Sequence, residues 1–145
     1  MGRVVRPVID GTWVLDSEAL SQLLRKQQDA IAWLEIARRT HTGLKVSAMT
    51  IPEAYHGKVN RGWLSYVLSC LKVEAVTEAM AVRAADLLQE HNLHGHKYAI
   101  DAIVAATAME CPRPVTVLTS DVDDLTRLCA EPERPKEGRV RVVRV

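Results

Sequence analysis

Short apolar runs rich in β-branched residues alternate with helical spacing from Thr12 to the end of the chain, and this alternation restricts the fold more than any other feature. The runs "TWVLD" (Thr12–Asp16), "LKVSAM" (Leu44–Met49), "KVEAV" (Lys72–Val76), "RPVTVLT" (Arg113–Thr119) and the closing "RVRVVRV" read as strands. The arginines interleaved in the last run suit an edge strand. Between the strands lie helical segments. "SEALSQLLRKQ" carries Leu20, Leu23 and Leu24 at helical spacing. "DAIAWLEIARRTH" sets Ile31, Leu34 and Arg38 along one side, with Gly43 as its stop. "TIPEAYHG" and "RGWLSYVLSCL" follow, then "TEAMAVRAADLLQEH", whose apolar side is Met80, Ala84, Leu87 and Leu88. "NLHGH" reads as a loop, "YAIDAIVAATAME" (Tyr98–Glu110) as a helix, and "SDVDDLTRLCA" as a short helix before the charged loop "EPERPKEG".

Strands that alternate with helices predict an α/β domain, three layers deep (α/β/α), with a central, mainly parallel sheet. A length of 145 residues suits a single domain over positions 1–145. Lys+Arg (19) nearly balances Asp+Glu (18), so overall charge selects no nucleic-acid partner, and any attraction must come from local patches. The three cysteines, Cys70, Cys111 and Cys129, form no CxxC pair, which argues against a disulfide framework or a cysteine zinc site and for a reducing compartment. The first residues lack the apolar core of a signal peptide, and no run reaches the ~18–20 apolar residues that span a membrane. The expectation is a cytoplasmic protein with no membrane partner. His91, His94 and His96 match no strong zinc spacing. Trp13, Trp33 and Trp63 sit in periodic apolar segments and read as core.

In open α/β sheets, ligands bind beyond the carboxyl ends of the strands. That rule selects Asp16, Glu53 and Asp121, each at or just after a predicted strand end. Each also has an ordinary role: Asp16 as an N-cap, Glu53 in a capping box with Thr50 ("TIPE"), and Asp121, Asp123 and Asp124 as first-turn acids. Asp101 differs. It stands in a helix that is apolar nearly all round, where an unpaired charge is costly, and its one ordinary partner is Lys97, four residues earlier. Carboxylates gathered at one rim repel each other and need a cation to stay ionised, and oxygen donors suit Mg²⁺ or Mn²⁺.

Four segments together resemble the PIN domain, the nuclease fold that includes VapC-type toxins. "VLDSEAL" is similar to the family's first motif, "VSAMTIPEAYHG" to the second, "AIDAIVAATA" to the third, and "VTVLTSDVDDL" to the fourth. The resemblance implies that Asp16, Glu53, Asp101 and Asp121 are catalytic and hold the metal, with Ser17 and Thr119 as supporting hydroxyls. Asp123 or Asp124 could replace Asp121, and Asp10 competes with Asp16. The resemblance further implies Mg²⁺- or Mn²⁺-dependent hydrolysis of RNA, a homodimer, and a cognate antitoxin where the protein is a toxin. Candidate phosphate contacts are His56, Lys58, Arg61 and Lys97. Two rivals stand beside this reading. One is a PIN-like module that binds RNA or protein without cutting. The other is a phosphotransfer domain using rim aspartates, which lacks both the D-x-D start and a lysine directly after Thr119.

Overall fold

A computed structural model describes residues 11–145. Asp10 lies outside the described residues. The sheet has five strands in the order β3-β2-β1-β4-β5, and every pairing is parallel. The strands are β1 (Gly11–Leu15), β2 (Thr42–Ser47), β3 (Lys72–Glu74), β4 (Val115–Thr119) and β5 (Arg141–Arg144). β5 is an edge strand, as its alternating arginines predict. The helices are α1 (Ser17–Leu24), α2 (Gln28–Arg39), α3 (Thr50–Ala54), α4 (Arg61–Ser69), α5 (Glu78–Glu90), α6 (Gly95–Met109) and α7 (Val122–Leu128).

Successive strand residues point to opposite faces, and two cores result. On one face, Leu15, Leu44, Val46 and Leu118 pack under α1 to α4, with Leu20, Leu23 and Val67 fully enclosed. On the other, Val14, Val115 and Val117 pack under α5 to α7, against Leu87, Val104, Leu125 and Leu128. Each such side chain contributes about 1.5–3 kcal/mol of burial, so the three layers hold together through aliphatic packing on both faces. α6 packs closely because its buried positions are small: Ala102, Ala105, Ala106 and Ala108 beside Val104 and Thr107. Gly11 opens β1 at φ +147°, where a Cβ would stand 2.7 Å from the Pro114 carbonyl oxygen, so the entry of β1 beside β4 needs glycine.

Several boundaries differ from the sequence reading. α2 ends at Arg39 with Thr40 as its cap, and His41 turns the chain at φ +54°, so Gly43 falls inside β2 rather than stopping the helix. The buried side of α2 is Ala30 and Ala37, not the line of Ile31 and Arg38. Both of those are exposed, because small alanines allow the helix to sit close to the sheet. α6 starts at Gly95, one turn before the expected Tyr98.

One ion-paired cluster fastens the C-terminal edge. The Arg113 guanidinium donates to both Glu131 carboxylate oxygens at 2.7 Å and to the Gly138 carbonyl at 2.8 Å. Glu131 also accepts from the Val140 amide at 3.2 Å. The chain then enters β5, where Arg144 donates to the Ser120 carbonyl at 2.9 Å and the Val145 amide to the Thr119 carbonyl at 3.0 Å. This edge therefore braces the turn that leads from β4 to Asp121.

Candidate active site

The strand order runs outward from β1 through β2 to β3, then crosses to β4 on the other side of β1. The reversal between β1 and β4 is the place where an open parallel sheet leaves a crevice at its carboxyl edge. Asp16 follows β1 directly, and Asp121 stands two residues beyond β4. The two acids therefore flank the crevice because of the topology.

Asp16 is 3% exposed and caps α1. Its Oδ1 accepts from the Ala19 amide at 3.0 Å, and its Oδ2 accepts from the Thr119 hydroxyl. The same Thr119 oxygen accepts from the Asp121 amide at 2.8 Å. One buried hydroxyl thus ties the first acid to the backbone of the fourth. Capping and site membership are compatible for Asp16, since two accepted bonds leave its carboxylate further lone pairs. Burial raises its pKa, the Thr119 and Ala19 hydrogen bonds oppose that rise, and the charge of Asp121 adds to it. Among the described residues, the Ser17 hydroxyl makes no hydrogen bond to a carboxylate, so Thr119 alone of the two expected hydroxyls does so.

Thr119→Val keeps the shape but removes both bonds. It is expected to cost about 1–3 kcal/mol, since a buried carboxylate and an amide lose partners together. Thermal denaturation checks this: the midpoint falls for valine, and serine, which keeps the hydroxyl, restores most of it.

The capping-box role of Glu53 is not realised. Met49 holds the N-cap position of α3 in helical conformation without a side-chain cap, which moves Thr50 inside the helix. Thr50 is fully buried with its hydroxyl unpaired among the described residues, and Glu53 is left exposed at the rim. Asp121 occupies the N-cap position of α7 but makes no side-chain cap bond either. The ordinary roles weighed for these two carboxylates are therefore only partly filled.

Asp101 makes no ion pair with Lys97. The Lys97 ammonium lies over the Tyr98 ring instead, 5.1 Å from its centroid. Glu53, Asp101 and Asp121 line one polar cavity of about 450 Å³ together with His96, Lys97, Ala99 and Ile100. Burial pushes the Asp101 pKa up to about 7, and the charges of Asp121, Glu53, Asp124 and Asp16 push in the same direction. The charges of Glu53, Asp121 and Asp16 thus reach Asp101, although Asp16 itself does not line the cavity. Asp124, rather than Asp123, is the additional acid that acts on Asp101. His56, Lys58 and Arg61 do not line this cavity, whereas His96, weighed in sequence only as a zinc ligand, does.

The donor set is all carboxylate oxygen, the chemistry of a hard divalent cation. Among the described residues, no group of three or more His, Cys, Asp or Glu side chains stands close enough together to hold a metal ion by itself. An open arrangement still suits Mg²⁺ or Mn²⁺: Mg²⁺ commonly takes one or two carboxylates, keeps several waters and uses substrate phosphates as further ligands. The repulsion these acids exert on Asp101, with no ion pair to Lys97 to relieve it, is the observation that makes these residues fit such an ion.

No family model matches the chain, and no curated protein matches it. Solved structures do share its fold. A chain of VapBC2 from Rickettsia felis, determined bound to a DNA fragment from the promoter, matches with TM-score 0.58 at 13% identity, over 91% of this chain and 98% of that one. A chain of a toxin–antitoxin complex from Klebsiella pneumoniae matches with TM-score 0.56 at 23% identity, over 77% of this chain and 88% of that one. At these identities the likeness is one of architecture, and the architecture is PIN-like. No helix among the described residues is long and apolar enough to cross a membrane.

Proposed function

We propose that this PIN-like chain is a metal-dependent endoribonuclease, the toxin of a toxin–antitoxin pair, which hydrolyses RNA phosphodiester bonds. One observation carries the reading: Asp101, in an apolar helix, shares a cavity with Glu53 and Asp121 and forms no ion pair with the nearby Lys97, so its environment favours an exogenous cation. Asp16, Glu53, Asp101 and Asp121 would hold Mg²⁺ or Mn²⁺. A divalent ion there supplies charge to activate water for in-line attack and to stabilise the leaving oxygen.

The chain's own contribution is placement. Thr119 and the Ala19 amide fix the Asp16 carboxylate in one orientation. The hydrogen bond from the Asp121 amide to the Thr119 hydroxyl sets the turn that carries the fourth acid. α6 holds Asp101 at the cavity, backed by its alanine-rich buried side. The toxin assignment is supported by the shared fold with chains of two toxin–antitoxin complexes. It brings with it a cognate antitoxin, a homodimer and a cytoplasmic location as parts of the proposal.

A non-cutting RNA- or protein-binding module of the same fold is the second reading. It is favoured by the lack of a three-ligand cluster among the described residues. Retention of all four acids weighs against it. Labelled structured RNA incubated with the purified protein separates the two. The nuclease reading expects cleavage with Mn²⁺ or Mg²⁺ and none with EDTA. A folded protein that binds Mn²⁺ and RNA yet cleaves no transfer, ribosomal or messenger RNA would replace it with the second reading.

A further inference from the structure

The cavity that collects the acids also has a cationic side. Glu53, Asp101 and Asp121 line it, and the basic side chains lining it are His96 and Lys97, on the first turn of α6. An RNA backbone entering this cavity brings phosphate charge toward carboxylates, and like charges at contact distance repel. A seat for that backbone therefore needs positive charge on the same cavity wall.

Lys97 is placed to supply it. Its spacing from Asp101 suits an ion pair, yet no such pair forms. Its ammonium rests on the Tyr98 ring, an exposed cation–π contact of the weak kind. A lysine held there lines the cavity without forming an ion pair with its acids. His96, one residue earlier, adds an imidazole donor to the same wall.

We infer that Lys97, with His96 beside it, is a positioning residue that seats an RNA backbone phosphate at the mouth of the acidic cavity. The inference rests on the RNA-directed reading above but not on cleavage. Fluorescence anisotropy of a short labelled single-stranded RNA, measured in EDTA so that no RNA is cut, tests it across a salt series. Neutralising one phosphate contact changes the log–log salt slope by about 0.7 on single strands. Lys97→Ala is expected to lose that much slope and about 10-fold in affinity at low salt, Lys97→Arg to recover both, and His96→Ala to lose affinity by a smaller factor. The thermal midpoint should not move in Lys97→Ala, because the side chain holds nothing together in the fold.

With Mn²⁺ present, the loss in Lys97→Ala should fall on KM rather than kcat. A slope and affinity equal to wild type in Lys97→Ala would overturn the inference, as would a wild type that binds no RNA at all. If wild type cleaves RNA while Lys97→Ala binds and cleaves equally well, the seat is wrong and the nuclease stands. If Lys97→Ala loses binding while wild type cleaves nothing, the seat stands and the nuclease reading falls.

Discussion

Asp101→Asn is expected to lose RNA cleavage by at least about 100-fold while making the metal-free protein more stable. The first effect follows from the loss of a charged donor among the four acids. Even outer groups that only orient a metal ligand typically cost 10–100-fold, and a direct ligand costs no less. The second follows from the raised pKa. In the unfolded chain Asp101 ionises near its ordinary 3.8, whereas in the folded protein it ionises at about 7. Between these values the unfolded state binds fewer protons, so folding stability falls as pH rises through that window and stays lower above it.

A shift of that size corresponds to about 4 kcal/mol at full strength. Asp101 is only partly buried, so solvent screening reduces the figure to roughly 1–2 kcal/mol. Asparagine carries no charge and escapes the penalty. Thermal midpoints of the two proteins in EDTA should therefore diverge from pH 5 to pH 8, with the variant higher at pH 8. Parallel curves at all pH values, or full cleavage by the variant, would contradict the assignment.

The largest loss of stability is expected from Glu131→Ala. The carboxylate is 7% exposed and takes both Arg113 donors. Arg113 is only part-buried, so removing its partner is expected to cost about 1.5–3 kcal/mol, the range for a hydrogen bond to a charged group. Burial opposes ionisation of Glu131, but the Arg113 and Val140 hydrogen bonds together with the Arg113 and Arg134 charges more than offset it and hold the carboxyl below its usual range. The pair's contribution is therefore present above pH 4.5 and is lost as pH falls through the lowered folded value. Urea denaturation at pH 7 checks the loss, and a drop below about 1 kcal/mol would show that the pair contributes little. Because this edge leads into the bonds at Ser120 and Thr119, the variant should also loosen the turn at Asp121 and lower activity in proportion to local unfolding.

Much of the architecture was legible in the chain. β-branched runs marked the strands, and the order of strands and helices predicted the layered sheet before any pairing was known. The acids at strand ends followed from the same reading, since a parallel sheet gathers its carboxyl ends on one edge. What escaped was tertiary. The outward turn of Ile31 and Arg38 reflects the fit of Ala30 and Ala37 against the sheet, and helical spacing alone does not show which side a helix presents. T-x-x-E at Thr50 reads as a capping box, yet Met49 already takes helical conformation and shifts the cap by one residue. Gly95 and the adjacent histidines look like a turn, yet α6 begins there, and this placed His96 outside the expected site. Whether Lys97 pairs with Asp101 depended on where its side chain lies, which is over the Tyr98 ring, and no sequence rule fixes that.

The central claim is that four carboxylates repelling one another in the bare protein take up a divalent cation. Mn²⁺ binding, followed by the loss of its free-ion paramagnetic resonance signal at pH 8, measures this without any RNA. The account predicts saturable binding by the wild type, accompanied by a rise in thermal midpoint, and a marked loss of both in Asp101→Asn. A wild type that leaves the Mn²⁺ signal unchanged, or an Asp101→Asn variant that binds as tightly, would contradict it.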